Sequence, residues 1–312
     1  MMEQESEFAG PASPGAATHC GYIAIIGRPN VGKSTLLNHI LGQKISITSR
    51  NAQTTRHQIL GVKTTDERQF IYIDTPGIHR TEKRELNRVL NQTSGSALRG
   101  ADVIVFVVEA LKWKAEDAFV LDQVKAAQVP KILVLNKVDQ VKEKQLLLPF
   151  LQQVSGLCEF HAIVPLSAQS GEQVAALEKE LAALLPAGQH LFPDDQVTDR
   201  SVRFMAAEIV REKIMRQTGE EIPYNVAVEI EKFQQEGGLV RIHALIWVER
   251  EGQKKMLIGS AGEKLKRIGS DARKDIEELL EQKVMLELWV KIKSGWSNSQ
   301  RALKSLGYDQ TE

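Results

Sequence analysis

From Tyr22 to Leu185, short apolar runs alternate with stretches of helical periodicity. The runs are Tyr22–Ile26, Ile59–Val62, Gln69–Asp74, Val103–Val108, Ile132–Leu135 and Ala162–Leu166. Several are rich in Val and Ile and apolar at nearly every position, the pattern of strands covered on both faces. Helical spacing appears between them at Leu36–Leu41, Leu86–Leu98, Ala118–Ala127 and Val174–Leu185. Strands that alternate with helices predict an α/β domain of three layers around a mostly parallel sheet. Residues 187–200, with Gly188, Pro193 and three aspartates, predict a linker.

The grammar then changes. Phe204–Arg216 has an amphipathic helical pattern. Tyr224–Glu231 alternates, with Tyr224, Val226, Val228 and Ile230 on one face. Val240–Val248 predicts a second strand. A turn at Gly259–Gly262 leads into the helical stretch Glu263–Leu280, and Val284–Lys293 alternates again. This order predicts a small α+β domain. The expected division is a disordered tail over 1–18, an α/β domain over 19–186, the linker, and the α+β domain over 201–308.

Composition narrows the class. Lys plus Arg number 40 and Asp plus Glu number 40, so bulk charge cannot drive binding to nucleic acid or membrane. No run approaches the roughly 18 apolar residues of a membrane span. The acidic start (Glu3, Glu5, Glu7) is unlike an export signal, so a cytoplasmic location is expected. Two cysteines, Cys20 and Cys158, form no disulfide or metal framework.

The sharpest motif is Gly27-Arg28-Pro29-Asn30-Val31-Gly32-Lys33-Ser34-Thr35, which fits GxxxxGK[ST] between a predicted strand and a predicted helix. Its backbone N–H groups can curve around phosphates. Lys33 adds a point charge, the Ser34 hydroxyl is offered to Mg²⁺, and the helix adds its positive end. Asp74-Thr75-Pro76-Gly77 ends a strand; there the carboxylate can hold Mg²⁺ and the Gly77 N–H can sense a γ-phosphate. Asn136-Lys137-Val138-Asp139 ends another. A carboxylate at Asp139 can accept both N1–H and N2–H of guanine, with Lys137 packed over the ring. Ser167-Ala168 ends the last strand, where a backbone N–H can donate to guanine O6. All four lie at carboxyl ends of strands, where open α/β sheets bind ligands.

These motifs resemble those of GTPases related to translation factors. Lys44–His57 then reads as the first switch loop, and a Thr from it should reach Mg²⁺ when the γ-phosphate is present. Thr55 is favoured and Thr54 is the alternative. Ile78 stands where many GTPases carry a water-orienting Gln, so intrinsic turnover should be slow. No side chain is a certain catalyst. Lys33, Thr55 and Gly77 are expected to support the transition state. The resemblance to the subset with a hydrophobic residue at that position makes Asn30 a candidate K⁺ ligand.

Gly259-Ser260-Ala261-Gly262 fits the GxxG loop that clamps single-stranded nucleic acid in KH domains, and the element order fits the type II variant. Residues 250–274 carry eight Lys/Arg against three acids. Ser260-Ala261 places no cation inside the loop, so affinity should be shared with Lys254, Lys255, Lys264, Lys266 and Arg267. Trp289 and Trp296 lie in a basic tail, and packing is the expectation for both.

An α/β three-layer P-loop GTPase domain followed by a small α+β type II KH domain resembles the Era family. The resemblance covers about residues 20–308 and includes GRPNVGKSTLLN, AQTTRH, DTPGIH, NKVD, VEREGQKKMLIG and LELWVKIKSGW. It implies a monomeric GTPase using GTP/GDP and Mg²⁺, with a KH domain that binds the single-stranded 3′ end of 16S rRNA. It further implies a role in rRNA maturation and assembly of the small (30S) ribosomal subunit. Nucleotide-dependent domain arrangement and peripheral association with the inner membrane are implied as well. The competing readings are a membrane-surface signalling GTPase and a structural placeholder that binds GTP and barely hydrolyses it.

Overall fold

The structure is a computed structural model, and it describes residues 18–49, 54–78, 85–218 and 226–308. The first half is a six-stranded sheet. Its strands are β1 (His19–Ile26), β2 (Ile59–Thr64), β3 (Arg68–Asp74), β4 (Val103–Glu109), β5 (Lys131–Asn136) and β6 (Ala162–Pro165). Their order is β2-β3-β1-β4-β5-β6, parallel except for β2, which pairs antiparallel with β3. Around it lie α1 (Lys33–Leu41), α2 (Glu85–Arg99), α3 (Ala115–Ala126), α4 (Leu147–Ser155) and α5 (Val174–Leu184).

Period-2 alternation explains why the strands look apolar throughout. Ile23, Ile25, Val103, Val105, Val107, Ile132 and Val134 face one buried layer with Leu36, Leu37 and Leu177. Ala24, Ile26, Ile104, Phe106, Val108, Leu133 and Leu135 face the other, with Val120, Val124, Phe150 and Val154. Both faces exclude water, so no polar face is retained.

Residues 187–200 run along the sheet and hydrogen-bond to it. The Val62 N–H donates to Val197 O at 2.8 Å, and Gly61 bridges Thr198. Buried Gln69 donates to Phe192 O and accepts from the Leu191 and Phe192 amides.

The second half contains α6 (Val202–Gln217), β7 (Ala227–Glu236), β8 (Leu239–Val248), α7 (Glu251–Ile258), α8 (Glu263–Leu280), β9 (Lys283–Ile292) and α9 (Gln300–Ser305). The sheet order is β7-β8-β9, with β7 antiparallel and β9 parallel to β8. The helices α6 and α8 pack on one face around Ile209, Val210, Ile242, Ala244, Ile268, Ala272 and Ile276. Helices α4, α7 and α9 go beyond the sequence expectation. Each is short, so its periodicity is too brief to stand out. Tyr224 of the predicted strand lies outside the described residues.

A further apolar cluster joins the halves. Leu86 and Leu90 of α2 meet Ala227 of β7 and the C-terminal residues Trp296, Leu303 and Tyr308. Trp296 is buried, whereas Trp289 is 55% exposed on β9.

Candidate nucleotide site and nucleic-acid groove

The phosphate loop leaves β1 and enters α1 at Gly32, which caps the helix in a left-handed conformation. Lys33 is buried and donates to Gly27 O and Arg28 O at 3.0 and 3.1 Å. Burial pulls its ammonium down to about 8, against the opposing pull of Asp74. At neutral pH it keeps its proton.

The three predicted Mg²⁺ ligands come together. Ser34 Oγ lies 2.7 Å from both Thr55 Oγ1 and Asp74 Oδ2, and Thr55 Oγ1 lies 3.3 Å from Asp74 Oδ2. Ser46 Oγ, not anticipated from sequence, also donates to Asp74 Oδ2 at 2.7 Å. Asp74 Oδ1 is buried with no hydrogen-bond partner among the described residues. Burial raises the carboxyl's pKa, opposed by Lys33 and the hydroxyls. Clustered hard oxygens around an unsatisfied carboxylate atom fit a Mg²⁺ ion. Thr54 turns its hydroxyl elsewhere, 2.8 Å from Ser49 Oγ.

Gly77 lies against the phosphate loop: a Cβ there would sit 2.7 Å from Pro29 N, a contact that backbone cannot relieve. Ile78 is 1% exposed and packs in the core with Ala24, Ile26 and Phe106. Its side chain belongs to the hydrophobic layer. Thr35, Asn30 and Gly77 line the same cleft as Lys33, Ser34 and Thr55.

Asn136 ties three loops. Its Nδ2 donates to Val31 O at 2.7 Å, and its Oδ1 accepts from the Lys137 and Ala168 amides at 2.7 and 2.9 Å. Of the two backbone N–H groups in the Ser167-Ala168 motif expected to face guanine O6, that of Ala168 is engaged by Asn136 here. Ser167 is buried beside it, its amide paired with Glu172 O. Lys137 adopts φ +68° and donates to Asn30 O at 2.8 Å, while Asp139 is exposed.

The first switch loop is also held by the second domain. Buried Glu212 of α6 accepts from the Thr48 N–H (3.0 Å), the Thr48 hydroxyl and Lys44. Arg211 donates to Thr54 O and pairs with Glu208. Arg56 is buried, donates to Val226 O at 2.7 Å and lies 5.9 Å from the Trp296 and Tyr308 ring centres. His57 stacks on Tyr308 at 4.7 Å. None of the switch loop's partners in the second domain was foreseen, because each lies more than 150 positions away.

In the second domain, Gly259 has φ +74° and ψ −175°, a region essentially restricted to glycine. A Cβ there would meet Lys264 Cβ at 2.7 Å. The loop Gly259–Gly262 thus projects exposed Ser260 and Ala261 between α7 and α8. A groove beside it is lined by Gly262, Lys266, Gly269, Arg273 and the floor residues Leu286 and Leu288. The spacing 262, 266, 269, 273 is one helical stripe of α8. Sequence reasoning singled out Gly262 and Lys266, counted Arg273 only within the basic stretch 250–274, and missed the apolar floor. Lys254 and Lys255 lie on α7, and Lys264 follows the loop on α8. Arg267 is turned away, donating to Gln217 Oε1 at 3.2 Å.

The models for a 50S ribosome-binding GTPase and for a KH domain match residues 22–137 and 221–297. GTPase Era of Pseudomonas syringae pv. tomato is 57% identical over 292 residues, 94% of this chain and 97% of that one. The chain belongs to the Era GTPase family. Era of Pseudomonas aeruginosa strain LESB58 is 56% identical over 293 residues, 94% of this chain and 96% of that one. A crystal structure of Era in complex with MgGDPNP and nucleotides 1506–1542 of 16S ribosomal RNA superposes with TM-score 0.91 at 40% identity. It matches 93% of this chain and 99% of its own. A variant of Aquifex aeolicus Era bound to GDP and AlF4⁻ superposes with TM-score 0.90 at 39% identity, with the same coverage. This chain is therefore a GTPase with a C-terminal KH domain. Among the described residues, no helix is long and apolar enough to cross a membrane.

Proposed function

We propose that the chain is a slow GTP-driven switch that binds the single-stranded 3′ end of 16S rRNA and acts in assembly of the 30S subunit and rRNA maturation. The observation that carries this reading is the span of the first switch loop. Thr55 turns its hydroxyl to Ser34 and Asp74, while the neighbouring Thr54 carbonyl is held by Arg211 of the KH domain. A change at the γ-phosphate is then felt at α6 within one residue.

In this reading Gly27, Asn30, Val31, Gly32, Lys33, Ser34, Thr35 and Gly77 surround the phosphates. Ser34, Thr55 and Asp74 hold Mg²⁺, which when bound neutralises charge on phosphate oxygens. Lys33 exchanges its two carbonyl partners for phosphate oxygens. Asn136, Lys137, Asp139, Ser167 and Ala168 form the base site, with Asp139 selecting guanine. Burial of Ile78 leaves no side chain at that position to orient water, consistent with slow turnover. Asn30, exposed at the cleft rim beside the phosphate loop, is the candidate K⁺ ligand in this reading. The relative crystallised with a 16S rRNA fragment supports assigning the α8 groove to RNA. Lys266 and Arg273 would meet phosphates and the leucine floor would meet bases.

The test is GTP hydrolysis in K⁺ or Na⁺, with and without an oligonucleotide of the rRNA 3′ end. The expected outcome is slow turnover in Na⁺ alone, faster in K⁺, and changed by the oligonucleotide. Rapid turnover in Na⁺ that ignores the RNA would refute the switch reading. Asp139→Asn should move preference from GTP to xanthosine triphosphate, because the amide replaces one acceptor oxygen with an N–H donor, which suits the C2 carbonyl of xanthine and not the guanine amine.

A further inference from the structure

We propose that Glu109 is a positioning residue that joins the phosphate loop to the base-binding loop by holding Lys137. Glu109 ends β4 directly opposite Asn136 in the β4–β5 register. Its buried carboxylate meets three cations, each from a different segment. Oε2 accepts from Lys137 Nζ at 3.1 Å and lies 3.4 Å from Arg28 Nη2, while Oε1 accepts from Lys112.

The ammonium of Lys137 is shared between that carboxylate and Asn30 O of the phosphate loop. Arg28 is fixed on its other side by buried Asp117, at 3.0 Å. The Asp117 carboxylate also caps α3 through the Lys114 amide at 2.9 Å. Burial opposes ionisation of Glu109, but the hydrogen bonds from Lys112 and Lys137 outweigh it and hold the carboxyl at about 2. It therefore keeps its charge throughout any working pH range.

Lys137 has a left-handed backbone and a long flexible stem, so its head group must be anchored for the stem to form a flat wall. Glu109 provides the charged half of that anchor. Without its charge, Arg28, Lys112 and Lys137 face one another with only Asp117 to compensate, and the Lys137 head is drawn to water. The effect should fall on the base side of the site and be independent of the number of phosphates. The inference rests on the assignment of Asn136–Asp139 as the base loop, which Asp139→Asn tests separately with xanthosine triphosphate.

The experiment measures GDP and GTP affinity by fluorescent-nucleotide titration, and saturated hydrolysis, for wild type, Glu109→Gln, Lys137→Met and the double variant. We expect Glu109→Gln to weaken GDP and GTP by the same factor, roughly 10-fold, with kcat retained. In the Lys137→Met background the same change should have no further effect on affinity. If Glu109→Gln weakens binding equally in both backgrounds, its role is merely structural and the proposal falls. An unchanged affinity in the wild-type background overturns it as well. Should the amide variant fail to fold, Glu109→Asp, which keeps the charge but withdraws it, enters the same cycle with the same two criteria. A normal switch to xanthosine triphosphate in Asp139→Asn alongside a failed cycle would remove Glu109 alone and leave the base site standing.

Discussion

Glu212 offers the clearest perturbation of the link between the switch loop and the KH domain. Its buried carboxylate accepts the Thr48 N–H and hydroxyl and meets Lys44 and Arg216. The two cation side chains are 37% and 49% exposed, so their attraction is screened and contributes at most about 1 kcal/mol each. The larger contribution is the Thr48 amide, which Glu212→Ala leaves without its acceptor at a half-buried position. That loss costs roughly 2 kcal/mol. Glu212→Gln keeps an oxygen for the amide and loses only the screened charge. The assay is hydrogen exchange of the 44–57 backbone in the GTP-analogue state. Exchange at Thr48 should quicken by roughly 30-fold in the Ala variant, since 1.4 kcal/mol is a factor of ten, and by only a few-fold in the Gln variant. Equal protection in the Ala variant and wild type would show that α6 does not hold the loop. Equal loss in both variants would assign the effect to charge and refute the argument from the amide.

Thr55→Ala should raise the Mg²⁺ concentration needed for GTP hydrolysis, whereas Thr54→Ala should leave it near wild type, because only the Thr55 hydroxyl faces Asp74. Ile78→Gln should not speed hydrolysis and should lower stability by roughly 2–4 kcal/mol in a denaturant titration, since the amide enters an apolar layer. His57 is held neutral, its pKa drawn by burial to about 4; Glu208 opposes this, while Arg211, Arg200 and Arg56 reinforce it. The unfolded chain then binds more protons below pH 6.5, so stability present above that value is lost progressively as pH falls toward 4. Melting curves of His57→Phe should show a flatter acid limb than wild type. Gly262→Asp should weaken binding of the rRNA 3′ oligonucleotide, because the carboxylate enters the groove beside Lys266, and should lower the melting temperature by a few degrees, because Gly262 holds a left-handed backbone (φ +81°) that a side chain strains even with open space around its Cβ; Gly262→Ala, with the same strain and no charge, should keep more of the RNA affinity.

The alternating strands and helices, the phosphate loop and the other strand-end motifs could all be read along the chain. They could because their information is local. Burial on both faces of β4 writes an unbroken apolar run, and a phosphate-binding turn needs glycine and lysine at fixed short spacing. The Gly259–Gly262 loop was legible for the same reason, and its neighbour Arg273 could have been found by extending the helical stripe.

Helix α6 shows where this reach ends. Its sequence reads as an amphipathic helix with a polar face for solvent, yet Glu208, Arg211 and Glu212 on that face are buried. They meet Thr48, Thr54 and Lys44, partners that no periodicity connects to them. Arg56, Trp296 and Tyr308 are likewise ordinary in sequence and become one buried cluster only when the two domains meet. Local pattern therefore settled both folds and the position of each motif, because backbone geometry and one-sided or two-sided burial act over a few residues. Which polar residues would be sealed from water, and which of them would hold the switch, was left to the docking of the domains. A charge marks its own site in a sequence but carries no mark of the partner that will satisfy it.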